Sequence, residues 1–356
     1  MNYSQQKHIE QTEQLRKLLT DLPPFVHEFF RGIADSKTLT TRIAYCYDIQ
    51  LFLNFLSEEI TLFEKKPLGD YTLEDLVTVT PELVEIYLEH LSLYTKTYTT
   101  AKQKEYGKVN TNRAAGKARK LSAIRSLYAY FIKKEKLKVN PAVIVTTPKI
   151  KEQAIVKLEV NEVAKLLDHV EDGTNLTKHQ KNYHNLTGTR DLAMLTLLLG
   201  TGIRVSECVG INLNNLDFDD NYVLVTRKGG NQATVYFGDE VREALLNYLP
   251  LRQEMNPEEG HENAFFLSIQ RKRITPRAVQ KLVKKYADVT LTNDKKISPH
   301  KLRSTFGTHL YRETGDIYLV ATALGHKDVN TTKKHYAATD EAAKRTASQV
   351  VKLRKN

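Results

Sequence analysis

SPHKLRSTFGTHLYRETGDIYLVATALGHKDVNTTKKHY, residues 298–336, is the stretch around which the chain is organised. Ser298 followed by Pro299 predicts a helix start: a serine oxygen can take a free N–H at the cap, and proline costs nothing at the first helical position. Gly315 predicts the matching stop. Between them, at about 100° per residue, His300, Arg303 and Gly307 fall within an arc of roughly 60°, beside an apolar stripe of Leu302, Phe306 and Leu310. A second helix follows, capped by Asp316 and closed by Gly325, with Ile317, Val320, Ala321 and Leu324 at helical spacing. His326 comes directly after that glycine. Asn330 is a candidate cap for a short third piece, residues 331–338, which carries Tyr336.

A single His, Arg or Tyr on a helix is usually structural or solvated, and the chain has 18 tyrosines. The ordered set is far more specific: H-x-x-R, then L-G-H, then a tyrosine ten residues on. This pattern, "PHKLR…THL…LGH…TT…Y", resembles the C-terminal signature of the tyrosine recombinase (phage integrase) family, and of its Xer branch in particular.

Composition narrows the class independently. The 356 residues suffice for two domains with full cores. Lys and Arg number 53 against 42 Asp and Glu, a formal charge of +11, which points to a polyanionic partner, nucleic acid or an anionic membrane. The longest apolar run, Leu192 to Leu199, is too short to cross a bilayer. No leader is legible at Met1, and Cys46 and Cys208 form neither a disulfide framework nor a metal spacing. These features fit a reducing cytoplasm, with no membrane attachment.

Along the chain, residues 1–30 predict an amphipathic, peripheral helical extension with Ile9, Leu15, Leu18 and Leu19 as its apolar members. Helices are expected over Thr38–Leu56 and Pro81–Leu93. The passage from Thr95 to Lys120 holds many cations against the single acid Glu105. Its first half lacks apolar periodicity and reads as a loop, and its second half enters a helix over about 112–134 with a core face of Leu121, Ile124, Leu127, Tyr128 and Phe131. Lys102, Lys104, Lys108, Arg113, Lys117, Arg119 and Arg125 are candidate phosphate contacts. The alternative, a merely soluble face, normally mixes charge signs. Asn140-Pro141 and Thr147-Pro148 precede a charged, pattern-poor stretch that reads as a linker over 148–157.

The second domain opens with a helix over Leu158–Val170. Glu171 to Gly188 is polar and reads as a surface loop; His179 and His184 within it match no metal-ligand motif. Thr187 or Thr189 then caps a helix over Arg190–Leu199. Gly200-Thr-Gly202 lacks the third glycine of a dinucleotide loop and reads as a tight turn that places Arg204 at a helix start. Residues 221–226 and 232–237 predict a hairpin across Gly229-Gly230, preceded by turn acids Asp217, Asp219 and Asp220. Helices over Glu240–Leu249 and Thr275–Tyr286 flank a strand at Phe265–Leu267. The expected fold is mostly α, with an all-helical first domain and a small antiparallel sheet in the C-terminal one.

The resemblance covers roughly residues 38–340 and extends to G-x-R-x-S-E at Gly202–Glu207. It implies a helical core-binding domain over 31–147 that clamps DNA, a catalytic domain over 158–339, and a tail helix over 340–356 that docks on its own or a neighbouring protomer. It also implies roles. Arg204 and Arg303 grip the scissile phosphate, Glu207 supports Arg204, and Lys228 in the hairpin protonates the leaving 5′ oxygen. His300 and His326 add donors, either of which can handle the proton of the nucleophile, Tyr336. Ser304 and Ala337-Ala338 depart from common Xer residues, and the length of the chain is closer to the single-recombinase Xer type.

The chemistry agrees with these residue types. Phosphodiester cleavage places charge on non-bridging oxygens, and arginine's planar, permanently charged fork serves them well. Exchange of one diester for another conserves bond energy and requires no nucleotide. No phosphate-binding P-loop, compelling metal cluster or other cofactor motif is present. The expectation is therefore a cofactor-free, site-specific recombinase that acts as a homotetramer on two duplexes with inverted-repeat sites, through a 3′-phosphotyrosyl intermediate and a Holliday junction. Its role is chromosome dimer resolution or mobile-element integration and excision. Alternatives are a type IB topoisomerase-like relaxing enzyme and an inactive architectural DNA-binding protein.

Overall fold

A computed structural model of the chain describes residues 3–99, 105–150, 156–227, 230–291, 295–326 and 328–336. The chain divides into two compact units, 1–152 and 153–356. The fold is mostly helical with small antiparallel sheets.

The first unit contains α1 (Tyr3–Leu19), α2 (Pro24–Gly32), α3 (Leu39–Glu59), α4 (Leu73–Thr78), α5 (Pro81–His90), β1 (Tyr94–Thr99), β2 (Glu105–Asn110), α6 (Ala114–Lys133) and α7 (Pro141–Ile144). Thr38 and Thr80 cap α3 and α5 through their side chains. Leu121, Ile124, Leu127, Tyr128 and Phe131 of α6 are all buried in one core with Phe52 and Leu56 of α3. Two expectations change. Residues 24–32 are not peripheral: Pro24 opens α2, and Phe25, Val26, Phe29 and Phe30 enter that same core. The expected loop after α5 is an antiparallel hairpin, with Tyr94 paired to Asn110 and Lys96 to Lys108. Its threonines and tyrosines favour extended backbone, and its sequence carries no alternation of apolar and polar residues to betray it.

The second unit contains α8 (Val160–Asp172), α9 (Lys178–Thr201), α10 (Val205–Val209), β3 (Leu216–Asp217), β4 (Tyr222–Thr226), β5 (Gln232–Tyr236), α11 (Asp239–Glu254), α12 (Pro276–Thr290), α13 (Pro299–Thr314), α14 (Ile317–Leu324) and α15 (Val329–Tyr336). From Ala193 to Leu198 every residue of α9 is buried, which makes it the central helix. β3, β4 and β5 form a three-stranded antiparallel sheet. Asp217 Oδ1 accepts from the backbone N–H groups of Asp219 and Asp220, so this acid closes the turn before β4.

Here too the expectations shift. The polar stretch read as a loop is in large part the start of α9, capped by a reciprocal pair of Thr177 and Gln180 rather than by Thr187 or Thr189. Its polar side chains have buried partners on α12. His184 Nδ1 and Tyr286 Oη share a 2.9 Å hydrogen bond, and Tyr286 Oη, Lys285 Nζ and Thr187 Oγ1 each donate to the buried Asp191 at 3.1 Å. Phe265–Leu267 forms isolated bridges, with Ala264 facing Asn212 and Leu267 facing Arg273, and not a strand. The serine of the opening stretch, Ser298, makes no side-chain cap, although α13 starts at Pro299 as expected and ends at Gly315 in the left-handed region. α15 begins at Val329, where Asp328 Oδ1 accepts from Asn330 N–H.

Candidate functional site

α9 ends at Thr201, and Gly202 reverses the chain at φ +62° with its N–H donating to Leu198 O. Glycine is needed here twice over. The left-handed backbone disfavours a side chain, and a Cβ would stand 2.3 Å from Cδ1 of Phe306 on α13. The reversal sets Arg204 at the start of α10. Its backbone N–H donates to Glu207 Oε2 at 2.8 Å and its Nη1 to Glu207 Oε1 at 2.8 Å. Glu207 is buried, whereas the Arg204 side chain keeps 38 % exposure. One guanidinium is thus oriented from below by a dry carboxylate and remains reachable from solvent.

Arg303, one turn into α13, is buried to 5 % exposure. Its Nη1 donates to Gly202 O at 2.6 Å and its Nη2 to Leu324 O. The side chain therefore ties the α9–α10 turn to the α14–α15 turn, segments that lie far apart in sequence. Phe306 and Leu310, on the adjoining stripe of α13, pack against Val320 and Leu324 of α14. Asp316 caps α14 by accepting from the N–H groups of Tyr318 and Leu319. Gly325 ends it at φ +61°, and the N–H of His326 folds back to Ala321 O. His326 Nδ1 shares a 2.8 Å hydrogen bond with Oγ1 of Thr332, a fully buried residue of α15, which fixes the plane of the imidazole. His300 is exposed on the first turn of α13. Tyr336 is the last residue of α15.

Arg204, Glu207, Arg303 and His326 thus gather around two adjoining turns, with His300 on the helix that carries Arg303. Lys228 lies outside the described residues, as do Lys102, Lys104 and the tail helix expected over 340–356. The remaining basic candidates divide by their partners. Lys108 on β2 and Arg113 at the start of α6 are exposed. Lys117 Nζ donates to Ser92 Oγ at 2.7 Å. Arg119 bonds Asp48, whose carboxyl is pushed up by burial although Arg119 and Lys120 pull it down. Arg125 donates to Ala142 O, Val145 O and Thr147 Oγ1 at 2.7–2.8 Å, so its guanidinium staples the segment of α7 to α6.

Three polar residues of the site region carry no role in the sequence reading. Thr332 is one of the quoted T-T pair and holds His326. His309, in T-H-L, bonds Leu158 O at 2.9 Å, and Thr305 Oγ1 accepts from Leu158 N–H at 3.0 Å. The helix that carries His300 and Arg303 is therefore also the anchor for the backbone that enters α8. The signal for all three was a polar side chain inside a helix next to the motif residues.

Residues 156–343 match the phage integrase family. The tyrosine recombinase XerC of Caldanaerobacter subterraneus subsp. tengcongensis is 32 % identical over 333 residues, which cover 91 % of this chain and 86 % of that protein. Among solved structures, the integrase of the Tn1549 transposon in complex with a circular intermediate DNA is similar at a TM-score of 0.62 and 17 % identity, covering 91 % of this chain and 97 % of that one. The XerH site-specific recombinase bound to palindromic difH substrate is similar at a TM-score of 0.59 and 17 % identity, covering 88 % and 79 % respectively. At such identities the structural likeness speaks for the fold.

Proposed function

Because the chain belongs to the phage integrase family and is a tyrosine-type site-specific recombinase of Xer character that acts on DNA, we propose that Tyr336 is its nucleophile and that Arg204, Arg303, Lys228, His300 and His326 activate the phosphate. Neither a relaxing enzyme nor an inactive architectural protein is favoured among its relatives. The observation that carries the assignment is Arg303 held between Gly202 O and Leu324 O, which draws the G-x-R-x-S-E turn and the L-G-H turn together.

In this reading Tyr336 Oη attacks phosphorus and the bond from phosphorus to the 5′ oxygen breaks. The tyrosine gives up its proton to a histidine, and the departing 5′ oxygen takes one from Lys228. The product is a 3′-phosphotyrosyl link with a free 5′ hydroxyl. Charge that grows on the non-bridging oxygens meets Arg204 and Arg303, whose orientations are set before DNA arrives, so no reorganisation is needed as the bond breaks. Attack by the 5′ hydroxyl of a partner strand reverses these steps and releases Tyr336. Each step exchanges one ester for another, so the chain's own cations suffice.

We further assign DNA clamping to residues 31–147, catalysis to residues 158–339 and protomer docking to the tail over 340–356. Lys102, Lys104, Lys108, Arg113 and Lys117 are the proposed phosphate contacts. A homotetramer on two duplexes with inverted-repeat sites, working in the cytoplasm on chromosome dimers or a mobile element, completes the proposal.

The test is covalent capture from a random-sequence pool of nicked duplexes, where loss of the strand beyond the nick prevents rejoining. The unmodified chain is expected to form adducts that survive denaturation, and Tyr336→Phe none. Adducts from Tyr336→Phe at wild-type yield would sink the assignment of the nucleophile. No capture by either protein would sink the cleavage reading itself.

A further inference from the structure

Arg227 belongs to none of the roles above, yet it touches the site. Its backbone closes the turn between β4 and β5: its N–H donates to Asn231 O at 2.8 Å, and its carbonyl accepts from Gly230 N–H at 3.0 Å. Its side chain crosses to the turn between α14 and α15. A Cβ built on Gly325 would stand 1.8 Å from Arg227 Nη1, 2.3 Å from its Cζ and 2.9 Å from its Nε. The guanidinium therefore lies against the backbone of Gly325, in the space that any side chain there would fill. Arg227 Nε is buried with no hydrogen-bond partner among the described residues. A buried cationic N–H left unsatisfied is unfavourable, and such groups persist where the surrounding structure holds them for a purpose.

We infer that Arg227 is a positioning residue for His326, clamping the Leu324-Gly325-His326 turn from the side of the β4–β5 hairpin. Arg303 holds the same turn through Leu324 O, and Thr332 holds the imidazole. Arg227 supplies a restraint from a third element, and it joins the hairpin to the turn, so that the two move together. The identity of residue 325 follows. A left-handed φ alone admits asparagine, though less readily than glycine. Gly315 provides that situation, with φ +65° and, among the described residues, nothing within 4 Å of a built Cβ. At Gly325 an asparagine side chain must displace the Arg227 guanidinium.

The inference rests on the proposed action of His326 at the phosphate, and the experiment separates the two. Single-turnover cleavage of a captured nicked duplex is measured, with DNA binding and thermal melting followed in parallel. Arg227→Ala and Arg227→Lys are expected to cleave about 10- to 100-fold more slowly than wild type at unchanged binding, as removal of a group that orients a site residue commonly does. Lysine keeps the charge but lacks the planar group that lies on Gly325. Gly325→Asn is expected to show a similar loss and Gly315→Asn less than a twofold one. In the Arg227→Ala background, Gly325→Asn should cost little more, because the group it displaces is already gone. His326→Ala combined with Arg227→Ala should be no slower than His326→Ala alone.

Wild-type cleavage by both Arg227 variants, full recovery by lysine, or additive losses with His326→Ala would each overturn the clamp. Wild-type cleavage by His326→Ala would instead remove the role of His326 itself. Should an Arg227 variant melt too low for assay, Gly325→Asn against Gly315→Asn decides alone: equal rates refute the inference.

Discussion

A guanidinium serves a transition state only if its position is settled beforehand, and the two motif arginines are settled in different ways. Arg204 leans on a buried carboxylate and stays partly in water, whereas Arg303 is inside the protein and bonded to two backbone carbonyls. Glu207→Ala should therefore leave Arg204 charged but wandering. Single-turnover cleavage is expected to fall by about 10- to 100-fold while a mobility-shift assay shows DNA binding within a few-fold of wild type; an equal loss in both would mean that Glu207 only supports folding. Arg303→Lys is expected to fail almost as badly as Arg303→Ala, by about 10²–10³ in cleavage rate. A lysine ammonium keeps the charge but cannot span Gly202 O and Leu324 O as a planar fork does. Recovery of more than a tenth of the rate by lysine would show that charge, and not the bridging geometry, is what Arg303 contributes.

What could be read of the elements from sequence depended on whether their polar residues face water. α3 and α5 were legible because side-chain caps and an apolar stripe coincide, α6 by its apolar stripe alone, and Gly315 and Gly325 marked helix ends that the backbone realises at positive φ. The start of α9 was not, because Thr187, Asp191 and His184 are polar yet bonded to Tyr286 or to each other in the interior. The β1–β2 hairpin was missed for another reason: its sequence has no alternation of apolar and polar residues. In the site, H-x-x-R and L-G-H were legible as a pattern, but the carbonyls that Arg303 bonds belong to no residue type and leave no trace in sequence. Arg125 shows the same limit: a cation on a basic helix read as a phosphate contact, and its partners are two carbonyls and a threonine hydroxyl. Lys108→Ala and Lys117→Ala are each expected to lower the slope of log affinity against log salt by about 1. Arg125→Ala should leave that slope alone and cost about 1–3 kcal/mol of stability to urea. A reduced slope without lost stability would return Arg125 to the DNA surface. A further contact ties α13 to α8. Arg312 donates to Glu159 Oε2 at 2.7 Å and, with Lys157 near, holds that carboxyl below its ordinary range. A depressed carboxylate stabilises the fold above its unfolded pKa and ceases to do so as pH falls through the folded one. Both side chains are well exposed, so solvent screening limits the contribution to under ~1 kcal/mol. Glu159→Gln should accordingly lower the melting temperature slightly at pH 7 and by less at pH 3; a larger effect at pH 3 would contradict the pairing.

At the scale of the whole chain, two kinds of positive charge have separate tasks. The surplus of +11 is a long-range property, felt by any polyanion and screened by salt over about 8–10 Å. Arg303 contributes to the same total, but it is buried and its orientation is fixed by bonds to two backbone carbonyls. Binding and bond breaking should therefore answer to salt differently. If the chain covers six to ten phosphates, affinity for a duplex should fall by about 10³–10⁵ between 50 and 200 mM salt. Cleavage within complexes already formed, followed at saturating protein, should change by less than about threefold over that range, because the geometry that stabilises the transition state is internal. Rejoining should behave in the same way. When a complementary strand with a 5′ hydroxyl is added to the covalent complex, ligation is expected without nucleotide and in the presence of EDTA, since the phosphotyrosyl ester already holds the energy of the broken bond. A cleavage rate that fell in parallel with affinity would place the decisive cations at the surface. A requirement for divalent metal in either step would show that the arginines do not carry the phosphate charge by themselves.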